Sequence, residues 1–211
     1  MKGIFITFEG PDGSGKTTQI RLLAQHCKEL GYDVVLTREP GGTPISEAIR
    51  SLLLDPSHTE MDGVTEALLY AASRAQHVAE KIRPALEGGA IVLCDRFMDS
   101  SIAYQGYARG LGDDVRIINE FAIQGTRPDI TFFMDLSAAE GKARVSAARN
   151  LDRLEQEDLR FHNAVYDGYM QLKKIYADRY VCIDAARSIE QIASDIRARF
   201  DAYVTQRDRK E

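Results

Sequence analysis

The chain has 211 residues and a formal net charge of −5, with 27 basic and 32 acidic side chains. This acidic balance argues against a nucleic-acid-binding surface, although it is compatible with a local basic pocket. No apolar run approaches the ~20 residues needed to span a bilayer, and the first residues lack the features of a signal peptide. We therefore expect a cytoplasmic protein with one domain over residues 1–211 and with no membrane or nucleic-acid partner.

The first predicted strand is followed by a glycine-rich stretch, EGPDGSGKTT, at residues 9–18. Its spacing, G-x-x-x-x-G-K-T, fits the phosphate-loop pattern, in which backbone N–H groups surround a phosphate. Lys16 can reach the outer phosphates, and the Thr17 hydroxyl can ligate Mg²⁺. The apolar spacing after the loop predicts a helix that ends near Gly31. The loop therefore places phosphates at the positive end of a helix.

Four further strand-like runs follow in chain order, and helical patterns separate them. They lie at 32–37, 90–95, 129–136 and 180–185. The runs are almost continuously apolar rather than alternating, as expected for parallel strands covered on both faces. We predict an α/β fold with a doubly wound five-stranded parallel sheet flanked by helices. Its ligands should bind beyond the C-terminal ends of the strands.

Charged residues follow the ends of the second and third strands. Asp95 ends the third strand in the manner of a Walker-B carboxylate that holds Mg²⁺, although such an aspartate can also cap a helix. Arg96 beside it implies a second anion, such as the phosphate of an acceptor. Arg38 ends the second strand, and Arg50 lies on the next helix. Both suit phosphate binding, and both could instead be solvated side chains near a turn.

Two segments further along the chain are candidates for substrate contact. Tyr70 and Arg74 are four residues apart on a helix predicted over 65–86, so they share a face that could stack on a nucleobase and bind its edge. Arg149 and Arg153 flank a turn between two helical stretches, where a mobile flap could close them over phosphates. The alternatives are surface packing for the first pair and a salt-bridged hairpin for the second.

The cysteines Cys27, Cys94 and Cys182 are odd in number and far apart, and each lies in an apolar segment. This arrangement suits neither disulfides nor a metal cluster. We therefore expect three buried thiols.

Six stretches spread over nearly the whole chain match a known family: FEGPDGSGKTTQ, TREPGGTPISEAIR, ALLYAASRAQH, DRFMDSSIAYQGYARGLG, RPDITFFMDL and LDRLEQE. In them the chain resembles thymidylate kinase of the bacterial type, a phosphate-loop nucleoside monophosphate kinase. The stretches TREPGGT and DRF…SSIAYQGYARG are the most specific. The resemblance implies phosphorylation of dTMP to dTDP by direct in-line transfer from ATP, assisted by Mg²⁺. It also implies a homodimer with a small mobile lid at about 147–158.

The resemblance assigns roles to individual residues. It implies ATP binding by Gly10, Pro11, Asp12, Gly13, Ser14, Gly15, Lys16, Thr17, Thr18, Ala185 and Arg187, and Mg²⁺ binding by Thr17 and Asp95. It implies dTMP binding by Asp12, Arg38, Arg50, Tyr70, Arg74, Arg96, Ser101, Tyr104 and Gln105. Within this set, Tyr70 would stack on thymine, and Tyr104 would occupy the place of a ribose 2′-hydroxyl. The implied catalytic residues are Lys16, Arg96, Arg149 and Arg153.

Two positions bear on the type of enzyme. Gly13 stands where one branch of the family has a catalytic arginine in the loop. The loop here has no arginine, so the resemblance assigns that charge to Arg149 and Arg153 of the flap, which would complement Lys16 around the transferring phosphoryl group. Tyr70 departs from the family, which more often has Phe, and its additional hydroxyl needs a partner or water.

Two other functions stay open on the sequence alone. A kinase for a different nucleoside monophosphate, or for a deoxynucleoside, would share the loop, although Arg38, Arg50 and Arg96 favour a phosphate-bearing acceptor. A nucleotide-controlled switch would share it as well. However, the chain lacks an Asn-Lys-x-Asp run for guanine recognition, and such a switch has no use for a second anion pocket.

Overall fold

The computed structural model describes residues 3–146 and 151–209. Its strands are β1 (Ile4–Glu9), β2 (Val34–Arg38), β3 (Ile91–Asp95), β4 (Ile130–Asp135) and β5 (Tyr180–Asp184). All neighbouring strands are parallel, and they form one sheet in the order β2-β3-β1-β4-β5. The predicted five-stranded parallel sheet is confirmed.

Helices cover both faces of this sheet. They are α1 (Lys16–Glu29), α2 (Pro44–Leu54), α3 (Gly63–His77), α4 (Arg83–Glu87), α5 (Met98–Ser101), α6 (Asp113–Ala122), α7 (Ala138–Ser146), α8 (Leu159–Ile175) and α9 (Ile189–Asp208). Residues of α1 and α9 form the apolar core on one face, and residues of α3, α6 and α8 contribute to the core on the other. Within the described ranges, no helix combines the length and the apolar character needed to cross a membrane.

The central strand β1 shows why the strand sequences are continuously apolar. Ile4, Ile6 and Phe8 pack into the core formed with α1 and α9. Phe5 packs into the opposite core, because successive side chains on a strand point to opposite faces. Since both faces are buried, no polar alternation is needed. The central position of β1 also brings the loop after it to the middle of the C-terminal edge.

The prediction of three buried thiols is wrong for one of them. Cys27 and Cys94 are buried, but Cys182 is exposed. It lies on β5, an edge strand with a neighbour on one side only. Its Sγ is 3.3 Å from Lys173 Nζ and 3.4 Å from Asp135 Oδ2. These polar neighbours come from other elements and are not visible in the local sequence.

Two helices continue into π-helical segments that the sequence patterns did not predict. The segment Val78–Ile82 joins α3 to α4, so the helix predicted over 65–86 is continuous but locally wider. The segment Ile102–Ala108 continues α5. Such segments are rare and are frequent at functional sites. The second one carries Tyr104 and Gln105, two of the predicted substrate contacts.

The phosphate loop and α7 approach each other backbone to backbone. Gly13 has a φ of +78°, and a Cβ at this position would lie 2.6 Å from the carbonyl oxygen of Gly141. A Cβ on Gly141 would in turn lie 2.6 Å from the carbonyl oxygen of Asp12. Glycine at both positions is therefore what permits this contact. Because α7 leads into the predicted lid, the contact joins the lid's base to the loop.

Adjacent helices α3 and α6 leave apolar side chains exposed. Val64 and Leu68 on α3 are each 52% exposed, while Ile117 and Phe121 on α6 are 55% and 88% exposed. In each pair the residues lie four positions apart and so share one face of their helix. We call these four residues the α3–α6 apolar surface. Exposed apolar clusters of this kind mark candidate protein–protein contacts.

Candidate functional site

The phosphate loop between β1 and α1 has the conformation that its sequence predicts. Gly15 is left-handed, with a φ of 86°, directly before Lys16 begins α1. The Lys16 Nζ donates to the carbonyl oxygens of Gly10 at 3.0 Å and Pro11 at 2.9 Å. Burial and the neighbouring Arg96 lower the pKa of Lys16. A bound phosphate would oppose this shift, because it adds negative charge next to the ammonium.

Thr17 and Asp95 face each other beside the loop. The Thr17 hydroxyl donates to Asp95 Oδ2 at 2.9 Å. Mg²⁺ prefers oxygen ligands and usually takes only one or two from the protein, the rest being water and substrate phosphates. This hydroxyl and carboxylate therefore fit the ion. In the described ranges, no group of three or more His, Cys, Asp or Glu side chains is placed to hold a metal.

Arg96 follows β3 directly and is fixed by four acceptors. Its φ is +66°, a region that non-glycine residues seldom adopt. The guanidinium donates to the carboxylate of Asp12 at 2.7 Å and to the hydroxyls of Tyr104, Ser100 and Tyr169 at 3.2, 3.0 and 3.2 Å. These acceptors come from the phosphate loop, from α5 with its π-helical continuation, and from α8. The positive charge of Arg96 is thus oriented by the fold.

Asp12 stays ionised because of its neighbours. Burial opposes ionisation, but the charges of Arg96 and Lys16 outweigh it, and the pKa of Asp12 lies well below its ordinary value. The Tyr104 hydroxyl also donates to Asp12 at 3.3 Å. The carboxylate is therefore an acceptor that is present at any physiological pH.

Two clefts adjoin at the C-terminal edge of the sheet. The first, which we call the loop cleft, is lined by Gly13, Gly15, Lys16, Thr17, Thr18, Arg38 and Asp95. The second, the helix cleft, is lined by Tyr70, Arg74, Ser101, Tyr104 and Gln105. Asp12, Glu39, Arg50 and Arg96 line both clefts. The structure thus distributes most of the predicted site residues between two clefts and places two arginines where the clefts meet, while Arg38, which was predicted to bind dTMP, lines the loop cleft.

Arg74 is held rigidly in the wall of the helix cleft, where it is 1% exposed. Its Nε donates to Glu39 at 2.7 Å, and its Nη2 donates to the carbonyl oxygen of Phe97 at 3.0 Å. Its Nη1 donates to Ser101 at 3.0 Å and also to Asn119. A buried charge needs this degree of pairing. The result is a donor whose direction is set before any ligand binds.

Arg38 and Arg50 differ in their availability for a phosphate. Arg38 forms a two-point pair with Glu47 at 3.0 and 3.1 Å, so a phosphate there would compete with a carboxylate. Arg50 donates to the carbonyl oxygen of Pro40 at 2.9 Å and lines both clefts. Burial, together with Arg38, lowers the pKa of Arg50, which an added anion would again oppose.

Of the two predicted flap arginines, the structure describes only Arg153. Arg149 lies outside the described residues. Arg153 is 9% exposed; its Nε donates to the carbonyl oxygen of Leu53 at 2.9 Å and its Nη2 to Glu66 at 2.5 Å. In the part of the chain that the structure describes, Arg153 therefore contacts α2 and α3. Its catalytic role stays a prediction.

Sequence reasoning missed a buried carboxylate beneath Arg96. Glu9 ends β1 and accepts hydrogen bonds from the Phe97 N–H at 2.7 Å and from the hydroxyls of Ser100 and Tyr169 at 2.5 and 3.0 Å. Burial raises the pKa of Glu9 to about 7. Because Ser100 and Tyr169 also contact Arg96, Glu9 belongs to the same network. The available signal was a glutamate at the end of an otherwise apolar strand.

Replacing Glu9 by glutamine is expected to remove a pH dependence of stability. Its raised pKa means that the native state binds this proton more tightly than the unfolded chain does. The contribution of protonated Glu9 to the stability of the native state is complete below its unfolded pKa of 4.5. It is lost as the pH rises through about 7. From this group alone, the wild-type unfolding free energy should fall by on the order of 3 kcal/mol across that window.

Guanidinium unfolding of both proteins between about pH 5 and about pH 8 measures this effect. Glu87→Gln is the control, because the Glu87 side chain is exposed. A difference in unfolding free energy between wild type and Glu9→Gln that stays constant with pH would contradict the prediction.

Arg144 on α7 is a second residue that sequence reasoning missed. Its Nη1 donates to the carbonyl oxygens of Gly13 at 3.3 Å and Ala185 at 3.4 Å. This exposed guanidinium therefore lies between the phosphate loop and the segment after β5, where the resemblance assigns Ala185 and Arg187 to ATP binding. Within that segment, Arg187 pairs with Asp195 at 2.6 Å. In the sequence, Arg144 is followed closely by Arg149 and Arg153 of the predicted lid, and nothing in its spacing sets it apart.

The fold and these clefts define a phosphate-loop phosphotransferase, in which a nucleotide-binding loop adjoins a second cleft with arginines at the junction. Comparisons with known proteins agree with this class. A family model described as thymidylate kinase matches residues 8–196. The chain belongs to the thymidylate kinase family.

Relatives and a solved structure match over almost the whole chain. Thymidylate kinase of Geobacillus sp. (strain WCH70) is 53% identical over 195 residues, which cover 91% of this chain and 93% of the relative. That of Exiguobacterium sibiricum is 52% identical over 210 residues and 99% of both chains. The crystal structure of thymidylate kinase from Ehrlichia chaffeensis is 36% identical and has a TM-score of 0.78, over 95% of this chain and 99% of that one.

Proposed function

We propose that the chain transfers the γ-phosphoryl group of ATP to the phosphate of dTMP, giving ADP and dTDP for dTTP synthesis. The observation that carries this proposal is the junction of the two clefts. Arg50 and Arg96 line both clefts, so a donor phosphate held by the loop and an acceptor phosphate in the helix cleft would meet there. Membership of the thymidylate kinase family supports thymidylate as the acceptor.

The transfer needs alignment and charge compensation more than proton transfer, because the acceptor phosphate is already an anionic nucleophile. In-line attack forms a bond from an acceptor oxygen to the γ-phosphorus and breaks the bond to the bridging oxygen of ADP. Lys16 would hold the donor phosphates and Arg96 the acceptor phosphate. Because the fold already orients Arg96, its charge stabilises the transition state without reorganisation.

Thr17 and Asp95 would hold the Mg²⁺ of the ATP complex. When bound, this ion neutralises charge on the phosphate oxygens. The 2.9 Å contact between the two side chains supports the assignment, because it turns both oxygens toward the same point beside the loop.

The helix cleft suits a deoxyribonucleotide with a pyrimidine base. Tyr70 would stack on the base, while Arg74, Ser101 and Gln105 would bind its edge. Tyr104 is 5% exposed, and its hydroxyl is bonded to both Arg96 and Asp12. Tyr104 therefore cannot move aside, and its side chain leaves no space for a ribose 2′-hydroxyl. Asp12 would face the 3′-hydroxyl side of the sugar.

The lid, at about 147–158, would add positive charge through Arg149 and Arg153. Its described residues Asp152, Leu154 and Glu155 line the helix cleft, and the bonds of Arg153 to α2 and α3 hold them there. A catalytic role for Arg153 would require its guanidinium to exchange Glu66 for the transferring phosphoryl group as the lid closes.

A coupled assay of ADP release with different acceptors tests the proposed function. We expect dTMP to be preferred over dUMP, dCMP, UMP and AMP. A strong preference for UMP or AMP would contradict thymidylate as the acceptor, and phosphorylation of unphosphorylated thymidine would favour a deoxynucleoside kinase. Rapid ADP release without any acceptor would support a nucleotide-controlled switch.

We further propose that the chain works in the cytoplasm as a homodimer joined through the α3–α6 apolar surface. The exposure of Phe121, at 88%, supports this surface, because covering such a side chain removes a large apolar area from water. α3 also carries Tyr70 and Arg74 toward the opposite side. Dimerisation would therefore brace the helix that forms the wall of the helix cleft.

Replacing Phe121 by aspartate is expected to yield a monomer, because a charge would be buried without a partner at the interface. Sedimentation velocity at micromolar concentrations measures the change. Leu30→Asp is the matched control: Leu30 is 54% exposed and follows α1, on the opposite face of the sheet. Dimerisation of Phe121→Asp at the wild-type level would show that this surface is not the interface.

A further inference from the structure

The side-chain amide of Gln105 lies in the helix cleft, and only one of its two polar atoms has a hydrogen-bond partner among the described residues. Its Nε2 donates to Glu66 Oε1 at 2.8 Å. Its Oε1 is buried and has no hydrogen-bond partner among the described residues, although the whole side chain is only 1% exposed. A buried acceptor without a partner is costly unless a ligand or water completes it. Gln105 also lines the helix cleft, so a base bound there could complete this acceptor.

Glu66 determines which end of this amide is open. It is fully buried on α3. Its Oε2 also accepts from Arg109 at 3.1 Å and Arg153 at 2.5 Å, and its Oε1 accepts from Arg109 at 3.3 Å beside Gln105. Burial opposes its ionisation, but hydrogen bonds from Arg109 and Gln105 outweigh this, and the pKa of Glu66 is lowered. An ionised carboxylate can only accept hydrogen bonds. The Gln105 amide must therefore turn its NH₂ toward Glu66 and its oxygen away.

Arg74 supplies the complementary group in the same cleft. A guanidinium has five N–H donors, and the described contacts of Arg74 use four of them, on Glu39, Ser101, Asn119 and Phe97. One Nη2 hydrogen is left. Because Arg74 and Gln105 both line the helix cleft, this N–H and the Gln105 oxygen are the donor and the acceptor that its wall could present to a base.

This pattern matches thymine and opposes cytosine. Thymine presents its O4 acceptor beside the N3–H donor, whereas cytosine presents the N4 amino donor beside the N3 acceptor. We infer that Glu66 is a positioning residue for base specificity: by binding the Gln105 NH₂, it fixes Gln105 Oε1 as an acceptor for N3–H and so selects thymine over cytosine. The inference rests on the proposed function, and it assigns to a buried residue of α3 a control over substrate choice.

The test compares kcat/KM for dTMP with that for 5-methyl-dCMP, which keeps the methyl group and changes only the base edge. In Glu66→Gln, two guanidinium donors at 3.1 and 2.5 Å favour the new amide oxygen at the Oε2 position, against one at 3.3 Å at the Oε1 position. The new NH₂ therefore faces Gln105. The Gln105 amide then reverses and turns its NH₂ into the cleft. The preference for dTMP should fall by ~10-fold or more. The preference should not change over to 5-methyl-dCMP, because Arg74 still offers a donor and the N4 amino group of that base is also a donor.

Two further variants separate specificity from structural support. Arg109→Gln weakens the same charge cluster but leaves the Glu66 carboxylate facing Gln105, so it should keep the wild-type ratio of the two substrates. Gln105→Leu removes the acceptor without supplying a donor, and its ratio should lie between those of wild type and Glu66→Gln. Thermal unfolding establishes that each variant is folded.

An unchanged substrate ratio in folded Glu66→Gln would overturn the inference, as would an equal change in Arg109→Gln. If Glu66→Gln does not fold, a wild-type ratio in Gln105→Leu would also overturn it. Failure of the wild-type protein to phosphorylate dTMP is a different outcome, because it would contradict the proposed function itself.

Discussion

Replacing Lys16 by methionine is expected to lower kcat with dTMP by about 10³-fold or more while the protein stays folded. The ammonium is held by two loop carbonyls at the start of α1, where it would contact the donor phosphates. Methionine is of similar length and apolar, so it fits the buried position but supplies no charge. Initial rates of ADP release at saturating ATP and dTMP, together with a thermal melt, measure the two parts of the prediction.

Lys28→Met is the matched control, because Lys28 lies in the last turn of the same helix. It should keep the wild-type kcat. Turnover of Lys16→Met within ten-fold of wild type would show that the loop lysine is not required for the transfer.

Replacing Arg96 by lysine should lower kcat/KM for dTMP by about 10²-fold or more, with a much smaller change in KM for ATP. Arg96 bonds Asp12 and three hydroxyls at once, which needs the planar fork of a guanidinium. A lysine ammonium is a point charge that can satisfy only part of this set. The acceptor phosphate would then lose the contact that the guanidinium offers, and Tyr104 would lose a partner that orients it.

Steady-state kinetics with each substrate varied in turn checks this expectation. Arg83→Lys is the control for replacing an arginine by a lysine, because Arg83 lies in an exposed ion pair with Glu87. It should keep the wild-type kinetics. A variant at position 96 that loses affinity for ATP but keeps its kcat/KM for dTMP would place Arg96 on the donor side and contradict its assigned role.

The sheet and the loop were predictable because their signals are local. The spacing of Gly10, Gly15 and Lys16 and the apolar runs on either side lie within about thirty residues, and the rule for parallel sheets then brings the strand ends together. This is why Arg96, directly after the third strand, could be named as a phosphate-binding candidate from the residues alone, whereas Asp12 was assigned only by the resemblance to the family.

The supporting residues were not predictable, because their partners are distant in sequence. Glu66 meets Gln105 across 39 residues and Arg153 across 87, and Glu9 meets Tyr169 across 160. No periodicity relates such positions. The π-helical continuation of α5 was also missed; it packs against α8 and α6, and no local sequence pattern marked it.

The close contact between Gly13 and Gly141 has a consequence for how this family can diverge. A side chain at position 13 would collide with the backbone of α7, the helix that leads to the proposed flap arginines. In a chain folded like this one, a substitution at position 13 would therefore require α7, and with it the start of the proposed lid, to shift. A loop arginine is compatible with this fold only if α7 changes as well, so we expect the loop and α7 to vary together.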